Sequence, residues 1–401
     1  MKADDTLWGR VPPLFIDIGF SQRSRSGEHI CGDAFKFRKS PDQGSIVAVL
    51  SDGLGSGVKA NILASMTATM ALKFAAESSF SILHAAEIMM GALPVCQVRK
   101  ISYATFTIVK SGLDGSTRVV EMGNPPFLLY RKGDGIEIPS HELESPHWQD
   151  RKMKIYDFHV EPDDRLIFFS DGISQSGMGS EKWPLGWRVR GCSAYVKKLL
   201  QEKESISAFE LSENILYEAR RKTIDMQNRD DMTCATLYFR KPRRMILFTG
   251  PPFDPGSDAE CARIVRDFDG AKVVSGGTTA EIISRELGRK LIMDLKNVDP
   301  DMPPSSSIEG IDLVTEGIFT LTKTAQYLED YDPDSSPNAA GRLVNIMLQN
   351  DIIDIMVGTK INEAHQDPKL SLDLELRRNV IKRIARLLET KFFKSVNIKY
   401  V

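Results

Sequence analysis

No stretch limits what this chain can fold into more than residues 46–60. Ile46-Val47-Ala48-Val49-Leu50 is an unbroken apolar run that feeds into Ser51-Asp52-Gly53-Leu54-Gly55-Ser56-Gly57, and an Ala-rich segment follows from Val58 to Glu77. The run predicts a buried strand ending at Ser51, so Asp52 sits at a strand tip with its carboxylate projecting past the sheet. Gly53, Gly55 and Gly57 let the main chain fold tightly around whatever Asp52 holds. The Ala-rich segment predicts a helix, with Ile62, Met66 and Met70 on its core face and Leu63 and Phe74 at the margins. An acid at a strand end, bare carbonyls beside it and a helix start suit a hard cation carrying phosphate.

The same grammar recurs. Leu166-Ile167-Phe168-Phe169-Ser170-Asp171-Gly172 repeats apolar strand, Ser, Asp and Gly, and Gly32-Asp33-Ala34-Phe35 puts another acid beside a glycine. Asp230 and Asp231 precede the strand-like run from Cys234 to Phe239. If these strands are neighbours, several carboxylates meet at one point and repel one another unless divalent cations neutralise them. Mg²⁺ and Mn²⁺ accept all-oxygen sites, so neither His nor Cys is required.

The ordered set Gly32-Asp33, Ser51 to Gly57, Gly123-Asn124-Pro125-Pro126, Ser170-Asp171-Gly172 and Asp230-Asp231-Met232-Thr233 resembles the metal-dependent PP2C-type protein phosphatases of the SpoIIE/RsbU-like branch. The resemblance covers roughly the first 240 residues. It implies an α-β-β-α sandwich and hydrolysis of phosphoserine or phosphothreonine in a bacterial signalling protein, such as an anti-sigma antagonist. It also implies two Mn²⁺ or Mg²⁺ and a water activated between them. Asp52 would bridge the metals, with the Gly53 carbonyl on one of them; Asp33 would bind one metal, and Asp171 and Asp230 would complete the other. Asp33, Asp52 and Asp171 are then the catalytic acids; whether Asp230 or Asp231 is the direct ligand stays open. Two features depart from the family pattern. Asn124 stands where a Gly-His pair is common, and the phosphate-gripping arginine of eukaryotic members has no fixed counterpart, with Arg23 and Arg25 in its neighbourhood.

Composition bounds the remaining classes. With 52 basic and 54 acidic residues the formal net charge is −2, which gives no support for nucleic acid or an anionic membrane as the main partner. No apolar run approaches the roughly 18 residues of a membrane span, and Met1-Lys2-Ala3-Asp4-Asp5 lacks a signal-peptide core, so a cytoplasmic protein is expected. Five scattered cysteines, an odd number, point to reduced thiols.

A length of 401 residues predicts two domains, residues 1–240 and 241–401, with Lys241-Pro242-Arg243-Arg244 at the boundary. In the first, a second helix is expected near Ser81 to Gly91. Ile101 to Lys110, Thr117 to Met122 and Phe127 to Arg131 read as consecutive antiparallel strands. At Ser174 to Arg190, with Met178, Trp183 and Trp187, the resemblance implies a flap near the acids. Beyond residue 241 the strands Met245 to Thr249, Lys272 to Val274, Asp312 to Thr315 and Ile352 to Val357 alternate with helical stretches, predicting an α/β layered domain. Its strand-end loops suggest a pocket for a small anionic ligand, with Gly276, Gly277 and Thr278 donating, Lys360 adding charge and Glu316 accepting from a hydroxyl or amine. The resemblance leaves two alternatives: a catalytically weak phosphatase-like binding module, or an accessory domain serving an activity of the C-terminal half.

Overall fold

A computed structural model of the chain describes residues 8, 12–40, 44–76, 84, 87–88, 104–144, 152–293, 303–330, 338–360 and 369–401. It divides into two compact units, Pro12–Lys241 and Pro242–Val401, and Trp8 packs into the core of the second rather than the first. The helix expected near Ser81 to Gly91 lies almost wholly outside the described residues.

The first unit runs β1 (Phe15–Arg23), β2 (Asp33–Ser40), β3 (Ser45–Gly53), α1 (Gly57–Ala76), β4 (Ala104–Gly112), β5 (Ser116–Met122), β6 (Leu128–Arg131), β7 (Asp134–Ile136), β8 (His141–Glu144), β9 (Lys152–His159) and β10 (Arg165–Phe169). It continues through α2 (Asp171–Ser174), α3 (Arg188–Glu202), α4 (Ala208–Lys222) and β11 (Met232–Arg240). Two sheets result, β1-β11-β10-β6-β7 and β2-β3-β4-β5-β9-β8.

Strand alternation decides which side each residue serves. On β3, Ile46, Ala48 and Leu50 face Leu166, Phe168, Leu237 and Phe239 in the core between the sheets. Val47 and Val49 face outward into a cluster with α1. On the β1-β11-β10-β6-β7 sheet Ile167, Phe169 and Cys234 turn outward onto α3 and α4. The layers are therefore helix, sheet, sheet, helix, as expected.

Two details differ from the sequence reading. The buried stripe of α1 is Ala60, Ala64, Ala68, Ala71 and Ala75, while Ile62 is 51% and Met66 57% exposed. The helix lies so close to the sheet that small side chains fill its contact face: a Cβ on Gly53 would stand 2.2 Å from the Ala60 carbonyl oxygen. Secondly, β4 and β5 pair, but β6 pairs with β10 in the other sheet. The Asn124-Pro125-Pro126 segment is a crossing between sheets, not a hairpin turn.

The second unit runs β12 (Arg244–Thr249), α5 (Asp258–Asp267), β13 (Ala271–Ser275), α6 (Gly277–Leu287), β14 (Ile292–Met293), β15 (Ser306–Ile308) and β16 (Ile311–Thr315). Then come α7 (Ile318–Glu329), α8 (Ala339–Gln349), β17 (Ile352–Val357), α9 (Lys369–Lys391) and β18 (Ser395–Tyr400). The sheet order is β14-β15-β16-β13-β12-β17-β18, with β16, β13, β12, β17 and β18 mutually parallel. Counted in chain order, the parallel strands lie 3-2-1-4-5, the doubly wound arrangement. Helices cover both faces: α7, α8 and α9 pack on Leu247, Leu313 and Ile355, and α5 and α6 on Phe248, Val274 and Met356. Strands buried on both sides explain the unbroken apolar runs. Among the described residues no helix is long and apolar enough to cross a membrane.

Candidate functional site

Each expected acid of the first unit lies where a strand meets a loop at one edge of the sandwich. Asp33 opens β2 and Asp52 stands directly opposite it near the end of β3. Asp171 opens α2 immediately after β10, and Asp230 and Asp231 precede β11, the neighbour of β10. One sheet thus supplies Asp33 and Asp52, and the other Asp171, Asp230 and Asp231. Gly172 makes the second group possible, since a Cβ there would stand 2.0 Å from the Asp231 carbonyl oxygen.

Hydrogen bonds tie the two sheets together through Asp33. The Thr233 hydroxyl donates to Asp33 Oδ2 at 2.7 Å and accepts from Gln22 Nε2 at 2.9 Å. Gln22 Nε2 also donates to the Asp33 carbonyl at 3.1 Å, and the Ser170 hydroxyl accepts from Thr233 N–H at 2.9 Å. Gln175 Nε2 donates to Asp171 Oδ2 at 2.7 Å, one turn along α2. Asp231 Oδ1 accepts from the Arg25 N–H at 2.9 Å, and Asp230 Oδ1 accepts from the Asp231 N–H at 2.9 Å. Sequence reasoning missed Gln22, Ser170, Thr233 and Gln175 as positioning residues. Ser170 and Thr233 stood inside the motifs, adjacent to or two residues from an acid, and that spacing was the available signal.

The electrostatics show how crowded the group is. Burial, together with the charges of Asp33, Asp171 and Asp230, pushes the Asp52 carboxyl up to about 10. Burial raises Asp33 to about 7, against the lowering hydrogen bonds of Ser170 and Thr233. Burial and then the Asp171 charge raise Asp230 to about 6, and Asp171 itself is raised, mainly by burial. Asp171 is the larger charge acting on Asp230, with Asp231 adding to it, and Asp231 also acts on Asp33 and Cys31.

A divalent cation is the natural counter-charge, and the residues fit one in their donor set. Asp33 Oδ1 and Asp231 Oδ2 are buried carboxylate oxygens with no hydrogen-bond partner. An anionic oxygen that has left water needs a cation or a donor. As placed, however, no group of three or more His, Cys, Asp or Glu side chains among the described residues is set to hold a metal ion. The acids converge without forming a finished cage.

Asn124 belongs to the scaffold. Its Oδ1 accepts from the Thr105 hydroxyl, and its Nδ2 donates to the Thr107 hydroxyl at 3.1 Å. The crossing is closed by Glu121, buried, whose Oε1 accepts from Phe127 N–H at 2.9 Å. Burial pushes the Glu121 carboxyl from 4.5 up to about 7. A raised carboxyl binds its proton more tightly in the native state. Its contribution is thus full below about pH 4.5 and is lost as pH rises through about 7. Glu121→Gln keeps the acceptor and removes the titration. It is expected to flatten the fall in melting temperature across that window and to raise it at pH 8, by up to about 3 kcal/mol of stability. An unchanged pH dependence would show that Glu121 does not titrate there.

The two arginines separate. Arg23 lies 3.8 Å from Glu213, whereas Arg25 works against the rise of the Asp230 carboxyl and sits beside Ser56. Of the flap residues, Trp187 is buried and Met178 is exposed. Beside Asp230 and Gly172, the flap forms a cavity of about 400 Å³ lined by Gln175, Met178, Ile224 and Arg229.

In the second unit, the expected ligand loops all lie at the carboxyl ends of parallel strands. Gly276, Gly277 and Thr278 follow β13, and Glu316 follows its neighbour β16. Lys360 follows β17, with β12 between it and β13, and its N–H donates to the Pro251 carbonyl at 3.2 Å. The structure brings the first four residues together and leaves Lys360 apart.

The family match falls within the first unit. The family model for Stage II sporulation protein E (SpoIIE) matches residues 42–240, a span that holds every acid of the cluster except Asp33. A curated relative, phosphoserine phosphatase RsbU of Bacillus subtilis (strain 168), is 25% identical over 242 residues, covering 59% of this chain and 68% of the relative. Among solved structures, the PP2C phosphatase domain of SpoIIE from Bacillus subtilis with a regulatory fragment matches at 20% identity and a TM-score of 0.47, over 57% of this chain and 62% of that one. RsbX in complex with magnesium matches at 20% identity and a TM-score of 0.40, over 56% of this chain and 95% of that one.

Proposed function

We propose, from the premise that residues 42–240 belong to the SpoIIE family, that the chain is a metal-dependent phosphatase acting on phosphoserine or phosphothreonine in a partner protein of a bacterial signalling system. The convergence of Asp33, Asp52, Asp171 and Asp230 from two facing sheets, with a partnerless buried oxygen on Asp33, carries this reading. These four acids and the Gly53 carbonyl would hold two Mn²⁺ or Mg²⁺, with Asp231 anchoring the Arg25 loop. Such cations supply charge neutralisation at the phosphoryl oxygens and lower the pKa of an attacking water.

The protein's own part is positioning. Thr233 holds Asp33 at one orientation across the two sheets, Ser170 holds Thr233 in turn, and Gln175 holds Asp171. Arg25, whose backbone is pinned on Asp231, places a guanidinium beside the cluster, where it can take a phosphoryl oxygen by charge-assisted hydrogen bonds. The flap cavity seats residues flanking the phosphorylated side chain. RsbU bears the name of a phosphoserine phosphatase, which supports this choice of substrate class. A cytoplasmic location agrees with this reading. So does a phosphorylated protein partner, such as an anti-sigma antagonist.

The direct test is hydrolysis of a phosphoserine peptide by the purified full chain with Mn²⁺, abolished by EDTA and restored by Mn²⁺ or Mg²⁺. No hydrolysis in any metal would favour the second reading, a phosphatase-like binding module. Arg25→Ala is expected to raise KM for the peptide about tenfold, a loss of about 1.4 kcal/mol, with kcat changed far less. Arg23→Ala should change neither. Equal effects of the two substitutions would place the phosphate elsewhere.

A further inference from the structure

In doubly wound sheets the usual ligand crevice opens at the carboxyl ends of the strands where chain order reverses. Here that position lies between β12 and β17, and the chain itself fills it. The Gly358 N–H donates to the Thr249 carbonyl at 2.8 Å, and a Cβ on Gly358 would stand 2.1 Å from the Pro251 oxygen. The Val401 carbonyl accepts from the N–H groups of Phe253 and Thr359 at 3.3 and 2.9 Å.

One strand further, at β13 and β16, the arrangement is open. Two neighbouring parallel strands each lead into a glycine that caps a helix start: Gly276 directly after β13 and before α6, and Gly317, separated from β16 by Glu316, before α7. Neither helix start has a side-chain cap, whereas in the same unit Asn338 caps α8 through the Gly341 N–H. The first intrahelical bonds are Ala280 N–H to Gly276 and Leu321 N–H to Gly317. The N–H groups of residues 277–279 and 318–320 therefore lie ahead of each ladder and need an outside acceptor.

The two starts are drawn together. Gly276 N–H donates to the Thr315 carbonyl at 2.9 Å, and a Cβ on Gly317 would lie 3.3 Å from the Gly276 Cα. Both glycines have positive φ, 126° and 145°, so a side chain at either is strained as well as crowded. Above Gly277 no atom lies within 4 Å of where a Cβ would stand.

Buried hydroxyls supply the second observation. Thr279 and Thr320 occupy the same position, third in their helices, and are 1% and 0% exposed. Neither hydroxyl oxygen has a hydrogen-bond partner. Thr279 Oγ1 faces Gly276, 3.0 Å from where a Cβ there would stand. A valine of the same shape would avoid leaving a buried hydroxyl unsatisfied.

We propose that the paired starts of α6 and α7, with the hydroxyls of Thr279 and Thr320, bind the phosphoryl group of a phosphorylated small molecule. Amides at two helix N-termini and neutral hydroxyls suit a tetrahedral anion. Exposed Glu316, between the two starts in sequence, accepts from hydroxyls of the same ligand and selects an ester that carries them. The site is independent of the acid cluster of the first unit.

The test uses the deuterated full chain, labelled with ¹⁵N at glycine and kept in EDTA, titrated with ribose 5-phosphate and with ribose. Ribose 5-phosphate is expected to shift the amide resonances of Gly276, Gly277 and Gly317 saturably, and ribose to leave them in place. Gly53 reports separately on any phosphate held by the acid cluster. Thr279→Val is expected to leave the melting temperature in ligand-free buffer unchanged or raised and to weaken binding about tenfold. No saturable shift at these glycines, equal shifts with ribose, or unchanged affinity in Thr279→Val would each overturn the site. None of these results depends on phosphatase activity.

Discussion

Asp52→Asn is expected to lower kcat on a phosphoserine peptide at least about a thousandfold, a loss of about 4 kcal/mol of transition-state stabilisation, in a protein that is folded and no less stable. Asp52 is the acid on which the charges of Asp33, Asp171 and Asp230 all act, and it stands opposite Asp33 across the β2–β3 pair. An amide there keeps the shape and one acceptor oxygen, but it is a poor ligand for a hard cation and carries no charge to balance one. Without metal the same substitution removes a repulsion. Asp33, Asp52 and Asp230 have native values raised to about 7, 10 and 6. Their contribution to stability is therefore full below about pH 4 and is lost as pH climbs through those values. In EDTA the wild type should lose melting temperature from pH 5 to 8, and Asp52→Asn should lose less. Mn²⁺ should reverse the order by stabilising the wild type more. A variant that hydrolyses the peptide at near-normal rate in excess Mn²⁺ would falsify the mechanism.

Much of this site was legible because its chemistry is written in short strings. An apolar run ending in Ser-Asp-Gly fixes where a carboxylate emerges, and Asp52 and Asp171 lie at the strand ends those strings predict; Asp33, marked only by the glycine before it, opens β2. The sequence was less informative wherever the packing partner set the answer. On α1 the larger side chains Ile62 and Met66 read as core, but the approach of the sheet admits little beyond alanine, so they face outward. Alanine carries too little hydrophobic contrast to mark a buried face by periodicity. The Asn124-Pro125-Pro126 segment reads as a hairpin because both flanking strands are real, and local sequence does not say which sheet the next strand joins. In the second unit β18 (Ser395–Tyr400) escaped notice because it is a partly exposed edge strand of mixed polarity, tied in part by Asn397 Nδ2 donating to the buried Asp354 at 2.8 Å. Loop composition alone places Lys360 with Gly276, and the strand order separates them.

Gly172→Ala is expected to destabilise the first unit by about 3 kcal/mol or more, although alanine is the smallest possible change. The added Cβ would stand 2.0 Å from the Asp231 carbonyl oxygen, 3.0 Å from its carbon and 3.3 Å from Met232 Cγ. Two of these obstacles are backbone, so no rotamer relieves the overlap, and the segment before β11 must move away from α2. That segment carries Asp230 and Asp231, and the hydrogen bond from Arg25 N–H to Asp231 rides on it. The displacement therefore reaches the site even where the fold survives. At a temperature well below its transition, the variant should show weaker Mn²⁺ activation as well as a lower melting point. Gly55→Ala separates this effect from general intolerance near the cluster. Gly55 has φ of 104° but nothing within 4 Å of a Cβ, so strain alone applies, about 1–2 kcal/mol. The expected order of melting temperature is wild type, Gly55→Ala, Gly172→Ala, with metal activation lost chiefly in the last. Should Gly172→Ala melt with the wild type and bind Mn²⁺ equally well, the close approach of α2 to the Asp231 backbone would not be what holds the second pair of acids in place.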